Sequence, residues 1–461
     1  MISLPPALHP ILESLQAHQI TPIVVGGYVR DALLGRSSKD IDIELYNMQS
    51  LEEIEKILKP FGKLNLVGKS FGVIKLKIKE LEIDFSPPRT ESKQGAGHKG
   101  FDVRCDFTLD FTTAARRRDF TINAMGYNPQ TKMLLDPYSG LEDLRSKKLA
   151  CVDEKTFVED PLRVLRAVQF AARYDLVCDE NLLRLCRVMI ENGALTELPK
   201  ERIFEELKKL LILSPKPSIG FELLRQMGGL FFFTPLDQLE TTPQDPASHP
   251  EGSVWTHTMM ALDSMAGMRT GDAKRDCPLM FAVLLHDIGK PSTTVMEDTL
   301  LNAPRHAHAG VDIARSWLWR ITEDKFLINA VLPLIAYHGT PRKLYRNQSS
   351  DSDILRLSTH VSIENLVLVA RADFFGRAFD ETRPEHFEAG EWLYSHAKKL
   401  GVLHSPPKPL LMGRDLITLG LIPSQQFKNI LDTAYEAQLN QQFFTRQEAI
   451  QWIKRDLVIT L

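Results

Sequence analysis

The sequence predicts an α+β chain in which a small mixed sheet with helices is followed by segments that are helical throughout. Two patterns carry the prediction. Between residues 20 and 130, short β-rich runs (TPIVVGG, DIDIELYN, GVIKLKIK, LEIDF) alternate with helical stretches such as SLEEIEKIL. From about residue 155 onward, apolar residues recur at helical spacing, as in EDPLRVLRAVQFAARYDL and PKERIFEELKKLLIL. A chain of 461 residues with 43% hydrophobic content is also too long for a single core. TTPQDPASHPEGS (241 to 253), rich in Pro and Ser, is the best linker candidate, and HSPPKP sets off a terminal helical segment. The expected domains are therefore 1–135, 136–240, 241–395 and 396–461.

Composition narrows the functional classes. Net charge is −3, so nucleic-acid phosphates would have to be met by local clusters, such as Arg116-Arg117-Arg118 and the Arg163/Arg166/Arg173 set. The five cysteines are scattered without a CxxC pair, which fits a reducing compartment and packing roles. No run reaches the roughly 20 apolar residues of a membrane span, and MISLPPALHPILESL lacks the basic start and cleavage site of a signal peptide. A cytoplasmic protein without membrane contact is expected.

IVVGGYVRDALLGRSSKDIDIELYN (23 to 47) holds the first chemistry. In a strand, residues two apart share a face, so Asp40 and Asp42 project together while Ile41 and Ile43 enter the core. Two carboxylates on one face suit Mg²⁺, which binds one or two such groups together with substrate phosphates. Gly26-Gly27 lies where a strand turns into the helix VRDALL, which ends at Gly35, and lets backbone N–H groups approach a triphosphate. Neither GxxxxGK[ST] nor GxGxxG occurs. The stretch reads as a nucleotide-plus-metal site.

GG-x-VRD followed by DxD resembles the head of the DNA polymerase β-like nucleotidyltransferases, specifically the class II tRNA nucleotidyltransferases (CCA-adding enzymes) and the related bacterial poly(A) polymerases. Further motifs follow in the family's order: RRRDFTINAMGYN (116 to 128), the hinge-like DPYSGLEDL (136 to 144), EDPLRVLRAVQFAAR and PKERIFEEL. The resemblance implies a head, a helical neck and body, and a tail contacting tRNA, in which the usual glycines are replaced by Ser424-Gln425-Gln426. It further implies transfer of nucleotides from CTP and ATP to a tRNA 3′-hydroxyl, with Asp40 and Asp42 as catalytic metal anchors. Gly27, Arg30 and Arg118 would then contact the incoming nucleotide. Asp84 in LEIDF is a candidate third carboxylate.

Base choice has its own chemical logic. Residues 160, 163, 166 and 173 share a helical face by spacing, with Leu165, Val168, Ala171 and Ala172 packing. Cytosine and adenine each offer an exocyclic amine beside an acceptor nitrogen. Asp160 can accept from the first while Arg163 donates to the second, which rejects uracil and guanine. Arg166 would support the site through phosphate contact or by orienting Arg163. In the family this chain resembles, enzymes that add only CC have a shortened loop between the first two motifs, so the long Ser92–Ala115 region, with GAGHKGF inside it, makes the resemblance imply more than CC addition. An enzyme that adds only the terminal A, or a poly(A) polymerase, are the alternatives; the latter usually carry basic extensions not seen here.

The later helical part contains THTMM with His257, FAVLLHDIGKP with His286-Asp287 and ARADFFGR with Asp373. This H…HD…D order resembles the HD metal-dependent phosphohydrolases, which are fused to some bacterial tRNA nucleotidyltransferases. The resemblance implies a divalent transition metal or Mg²⁺ held by those four residues, and hydrolysis of 2′-phosphate or 2′,3′-cyclic phosphate ends. His306, His308 and His338 are candidates for a second metal position or for phosphate contact. A phosphohydrolase whose head only docks RNA is the less favoured reading, and both monomer and homodimer are open.

Overall fold

The computed structural model describes residues 2–65, 72–79, 81–93, 101–298, 300–378 and 385–456, and the chain forms two compact units, Met1–Phe233 and Thr234–Leu461. Strands β1 (Thr21–Val25), β2 (Asp40–Tyr46), β3 (Lys63–Asn65), β4 (Ile74–Ile78) and β5 (Leu81–Ser86) come first. They are followed by β6 (Arg89–Lys93), β7 (Phe101–Cys105), β8 (Gly126–Asn128) and β9 (Met133–Leu135). Seven of them build one sheet in the order β3-β4-β5-β2-β1-β8-β9. β2 runs antiparallel to β1 and parallel to β5, so the sheet is mixed. Alternation along β2 buries Ile41 and Ile43 to 1% and 0% exposure and leaves Asp40 and Asp42 exposed on the other face. The parallel register sets Asp84 beside Asp42.

β6 and β7 form a hairpin with Arg89 opposite Cys105 and Lys93 opposite Phe101, and residues 94–100, which carry most of GAGHKGF, lie outside the described residues. DPYSG makes a tight turn. The Asp136 carboxylate accepts from the Gly140 N–H (2.7 Å) and the Leu141 N–H (2.9 Å), and Ser139 takes a left-handed φ of 59°. Beyond it, the helix Leu162–Tyr174 buries Val164, Leu165, Val168, Ala171 and Ala172 against the helices Lys200–Leu213 and Pro217–Gln226. It stops at Asp175, whose left-handed conformation closes the last turn. Phe120 packs between Phe157 and Phe170 at centroid distances of 6.0 and 5.5 Å, joining the end of the head to the neck.

In the second unit the helix Ala273–Leu285 is central, with Leu279 to Leu285 all at 1% exposure or less, which explains why its sequence is apolar on every side. Helices Val254–Ala266, Lys325–Tyr337 and Ile363–Phe375 pack on it, and His306–Ile321 packs on Lys325–Tyr337. Ser253, Asp272, Asp324 and Ser362 cap four of these helices through side-chain oxygens. The C-terminal helices Gly413–Thr418, Gln426–Leu439 and Arg446–Asp456 share a small core around Leu416, Phe443 and Ile453, braced by an Arg446–Asp415 ion pair. No helix of the described residues is long and apolar enough to cross a membrane.

One sequence expectation changes. The 241–253 segment is not a free linker but a folded part of the second unit. Thr242 accepts from the Val254 N–H (3.1 Å), Gln244 accepts from Lys290 Nζ (2.6 Å), and Glu251 binds two histidine rings. Proline and serine here shape a site loop.

A Cβ on Gly140 would lie 2.2 Å from the Thr121 carbonyl oxygen, which is backbone and cannot swing away. Gly140→Ala should therefore lower unfolding stability by about 1–3 kcal/mol, the usual range for overpacking. A denaturant titration monitoring the first unit checks this, and unchanged stability would show that the turn is slack.

Candidate functional site

The first site stands on the exposed face of β2 and β5. Asp40, Asp42 and Asp84 share it, and Lys75 Nζ, 2.7 Å from Asp84, is the cation paired there. The Asp42 carboxyl sits above its usual range. Displacement of water by surrounding protein is the largest cause; the like charges of Asp84, Asp40 and Glu44 add to it, while Arg118 opposes. Carboxylate oxygens clustered on one face, one of them held above its usual range by burial and by its neighbours, are a donor set suited to a hard divalent cation.

Further along the same face, Glu44 is 1% exposed and takes Arg117 Nη2 at 2.9 Å and Arg118 Nη2 at 2.7 Å on one oxygen, with the Tyr46 hydroxyl at 2.9 Å on the other. Burial would raise the Glu44 carboxyl, but Arg118 and Arg117 outweigh it and hold it low. The Nε of Arg118 is buried with no hydrogen-bond partner among the described residues. Gly26 adopts a φ of 71°, and a Cβ there would come within 3.0 Å of Arg118 Nη1. Its own N–H donates to the Met125 carbonyl (3.3 Å), so Gly26 provides space and a left-handed turn rather than a free donor. Gly27 opens the helix Gly27–Leu33.

Arg30 faces inward at 4% exposure. Its guanidinium donates to Asp31 (2.9 and 2.7 Å) and Asn123 (2.5 Å) and stacks over Tyr174 and Phe170 at 4.4 and 5.1 Å. The guanidinium expected from sequence to contact the nucleotide is thus engaged by protein groups on several sides. Asn123 in turn donates to Asp119 (3.0 Å), which also accepts from Arg166 Nε (2.7 Å) on the neck helix. Burial would raise the Asp119 carboxyl, yet Arg166, Asn123 and Arg163 hold it below the usual range.

Asp160 precedes the helix Leu162–Tyr174 rather than standing in it, because Pro161 begins the turn. Its carboxylate accepts from the Leu162 N–H (3.1 Å) and lies 3.4 Å from Arg202 Nη2. Arg163 donates to the carbonyls of Thr156 (2.7 Å) and Arg117 (2.5 Å). Glu44, Asp119, Asn123 and Arg202 were not singled out from sequence, although all four lie within quoted motifs.

The second site lies in the second unit. His257, His286 and Asp373 form one donor group and Asp287, His306 and His338 another, each with ligand atoms within 4.8 Å of one another. Asp287 serves both: Oδ2 lies 3.2 Å from His286 Nε2, and Oδ1 lies 3.4 Å from His306 Nε2 and 3.8 Å from His338 Nε2. The Nδ1 atoms of His286, His306 and His338 donate to the carbonyls of Val283, Ala303 and Ile335 at 2.7–2.8 Å, and His257 Nδ1 meets Glu251 at 2.9 Å. A neutral imidazole protonated at Nδ1 presents a bare lone pair at Nε2. Burial depresses the His338 pKa to about 4, which keeps that ring neutral.

The Nε2 atoms of His306 and His338 sit 3.3 Å apart, as do those of His257 and His286. Burial lowers the His257 pKa, but the Asp373 and Glu251 carboxylates on its two ring nitrogens outweigh it and raise it. Imidazole and carboxylate groups gathered this closely fit two metal positions sharing one carboxylate. His308 is exposed and belongs to neither group. Glu251 and His249, which meet at 2.8 Å, were hidden in the segment read as linker.

Asp119 tests how far the first site depends on its scaffold. Asp119→Asn leaves Arg166 without its buried counter-charge and should cost about 3–5 kcal/mol at pH 7. The Asp119 pKa is depressed on folding, so its contribution is present above the unfolded value of about 3.9 and fades only as pH falls below that toward the folded value. Urea titrations of both proteins between pH 7 and 4 should therefore show a nearly constant gap. A gap that closes by pH 5 would contradict the assignment.

Residues 23–150 match the family described as "Poly A polymerase head domain", 179–236 match "Probable RNA and SrmB-binding site of polymerase A", and 254–377 match "HD domain". The multifunctional CCA protein of Alkalilimnicola ehrlichii is 32% identical over 78% of this chain and 85% of its own. That of Halorhodospira halophila is 39% identical over 63% of this chain and 67% of its own. Among solved structures, the Bacillus stearothermophilus CCA-adding enzyme in complex with CTP covers 99% of both chains with a TM-score of 0.69 at 20% identity. The Thermotoga maritima CCA-adding enzyme complexed with tRNA gives 0.59 at 21% identity, over 99% of this chain and 97% of its own. These two share the fold, a polymerase-type head followed by helical domains, and the sequence relatives go further: with the head motifs and the HD segment matched together, this chain belongs to the family of multifunctional CCA proteins.

Proposed function

We propose that this chain adds the 3′-terminal C, C and A to tRNA from CTP and ATP. The observation that carries the reading is the open carboxylate face of Asp40, Asp42 and Asp84 beside Arg118, whose buried Nε lacks a partner, in a member of this family. When bound there, Mg²⁺ supplies charge stabilisation at the reacting phosphate and the leaving pyrophosphate. Arg118 donates to the triphosphate, and Gly26 and Gly27 leave it room to approach. Arg30 acts from beneath, holding Asn123 and through it the RRDFTINA turn.

Asp160 and Arg163 read the base. Each is fixed before a nucleotide arrives, Asp160 by the Leu162 N–H and Arg163 by two backbone carbonyls, so the guanidinium keeps its remaining N–H groups in one orientation. Arg166, engaged by Asp119, orients the neck helix that carries Arg163. The 396–461 tail contacts tRNA.

We infer that the second unit hydrolyses 2′-phosphate or 2′,3′-cyclic phosphate ends. The carrying observation is the pair of imidazole and carboxylate groups joined at Asp287. Divalent cations held there would supply an activated water and phosphate charge neutralisation. Lys290 Nζ, 2.7 Å from Asp287 Oδ2, sets the position of the shared carboxylate.

Two experiments test these readings. Offered tRNA transcripts ending at the discriminator base, after C and after CC, with CTP and ATP, the protein should add C, C and A in order and then stop. Asp42→Ala should reduce incorporation by about 10³-fold or more while leaving the thermal midpoint in place. A-only addition to the CC-ended transcript, or long A tails, would replace this reading with one of its relatives.

For the second unit, protein stripped and reloaded with Mn²⁺ should lose one equivalent of retained metal in His306→Ala and two in Asp287→Asn, relative to the wild type. Hydrolysis of 2′,3′-cyclic AMP should disappear with a chelator and in Asp287→Asn. Equal metal content in all three proteins would sink the shared-carboxylate arrangement.

A further inference from the structure

Beside the second site opens a cleft of about 670 Å³ that the phosphohydrolase reading does not by itself explain. Its cationic lining is Lys290, Arg342, Arg346 and Arg377, and Leu300 and Leu301 line the same cleft. Lys290 is occupied, bound to Asp287 and Gln244. The arginines are not satisfied in the same way. Arg342 Nη2 is buried without a hydrogen bond, its nearest carboxylate being Asp373 at 3.7 Å. Arg377 Nε is likewise buried and unbonded, and its Nη2 lies 3.9 Å from Asp373. Such distances are too long for hydrogen bonds, so two guanidinium groups beside the metal-ligating Asp373 hold donors in reserve.

Arg346 stands one turn beyond Arg342 on the helix Thr340–Arg346 and is exposed, with no ion-pair partner among the described residues. Residues four apart share a helix face, so the positive charge continues outward from the metal-ligand cluster in a line. A basic last turn also complements a helix C-terminus, but that does not account for the buried, unbonded Arg342 Nη2. On the same cleft, the strand Leu300–Asn302 of the hairpin exposes Leu300 at 53%, with Leu301 beside it. Apolar side chains next to a row of arginines are what a nucleotide's base and phosphates require together.

We propose that this cleft holds the single-stranded 3′ end of an RNA by two consecutive phosphates, the terminal one at Arg342 and Arg377 and the preceding phosphodiester at Arg346. The proposal rests on the hydrolytic reading of the second unit and names its substrate as an oligonucleotide end rather than a mononucleotide. The terminal base lies against Leu300 and Leu301. A free mononucleotide reaches only the inner arginines.

The test uses the full-length, metal-loaded protein and two probes closed by a 2′,3′-cyclic phosphate, 2′,3′-cyclic AMP and the trinucleotide CpCpA. The wild type should favour the trinucleotide by about tenfold or more in kcat/KM, the value of one charge-assisted phosphate contact. R346A should lose most of that preference, with at most about a twofold change on the mononucleotide, and its plot of log KM for the trinucleotide against log salt should be shallower by about 0.7. R342A/R377A should raise KM for both probes.

Equal kcat/KM for the two probes in the wild type, or an R346A effect of the same size on both, overturns the proposal. If the wild type hydrolyses neither probe, the hydrolytic reading fails instead. Fluorescence anisotropy of labelled CpCpA 3′-phosphate then decides the subsite alone: weaker binding by R346A upholds it, and identical Kd values overturn it.

Discussion

The buried carboxylate of Asp119 is the constraint on which the first unit turns. Removing a charge from water costs several kcal/mol, and here that cost is offset by Arg166, by Asn123 and by the Phe120 N–H at 2.8 Å. Two of these partners lie in the RRDFTINA segment itself and the third, Arg166, on the neck helix. Asn123 passes the connection to Arg30 on the helix after the glycine pair, and Arg166 passes it to the neck helix. Immediately upstream, Arg118 and Arg117 close on Glu44 at the inner end of the carboxylate face. RRDFTINA is thus a single device in which Asp119 and Asn123 tie the neck helix to the helix of Arg30 while Arg117 and Arg118 hold Glu44.

The second unit reaches rigidity by another route. Four imidazoles are each pinned through Nδ1, three by main-chain carbonyls at helix ends and one by Glu251. Pinning fixes ring direction, so the donor geometry is preset for the cations proposed to bind there. Helix-packing residues such as Leu279 to Leu285 supply the immobile frame.

What the sequence made legible follows from periodicity. DIDIEL places Asp40 and Asp42 on one face by alternation alone, and β2 has that pattern. HD-type ligands stand at helix ends that apolar runs announce. Pairing register is another matter: Asp84 neighbours Asp42 only because β5 lies parallel to β2, a non-local choice with no local signal. Glu44, one step further along the same alternation, reads as a third exposed acid and is instead 1% exposed, because two arginines from 73 and 74 residues away bury it. Composition misled at 241–253, since the turn-forming residues that suggest a linker are equally those that bring His249 and Glu251 onto His257. Arg30 matched a motif, but only packing against Phe170 and Tyr174 shows that it points away from solvent.

The main-chain oxygen of Arg117 receives Arg163, the guanidinium proposed to read the base, while the side chain of the same residue grips Glu44, two positions along β2 from Asp42. In the proposed function, base selection and phosphate alignment would therefore hang from one residue. A mismatched base that tilts Arg163 would drag the reacting phosphate out of line, so fidelity in such an arrangement is enforced on the rate of the transfer step more than on occupancy, and a wrong nucleotide is held but left unreacted.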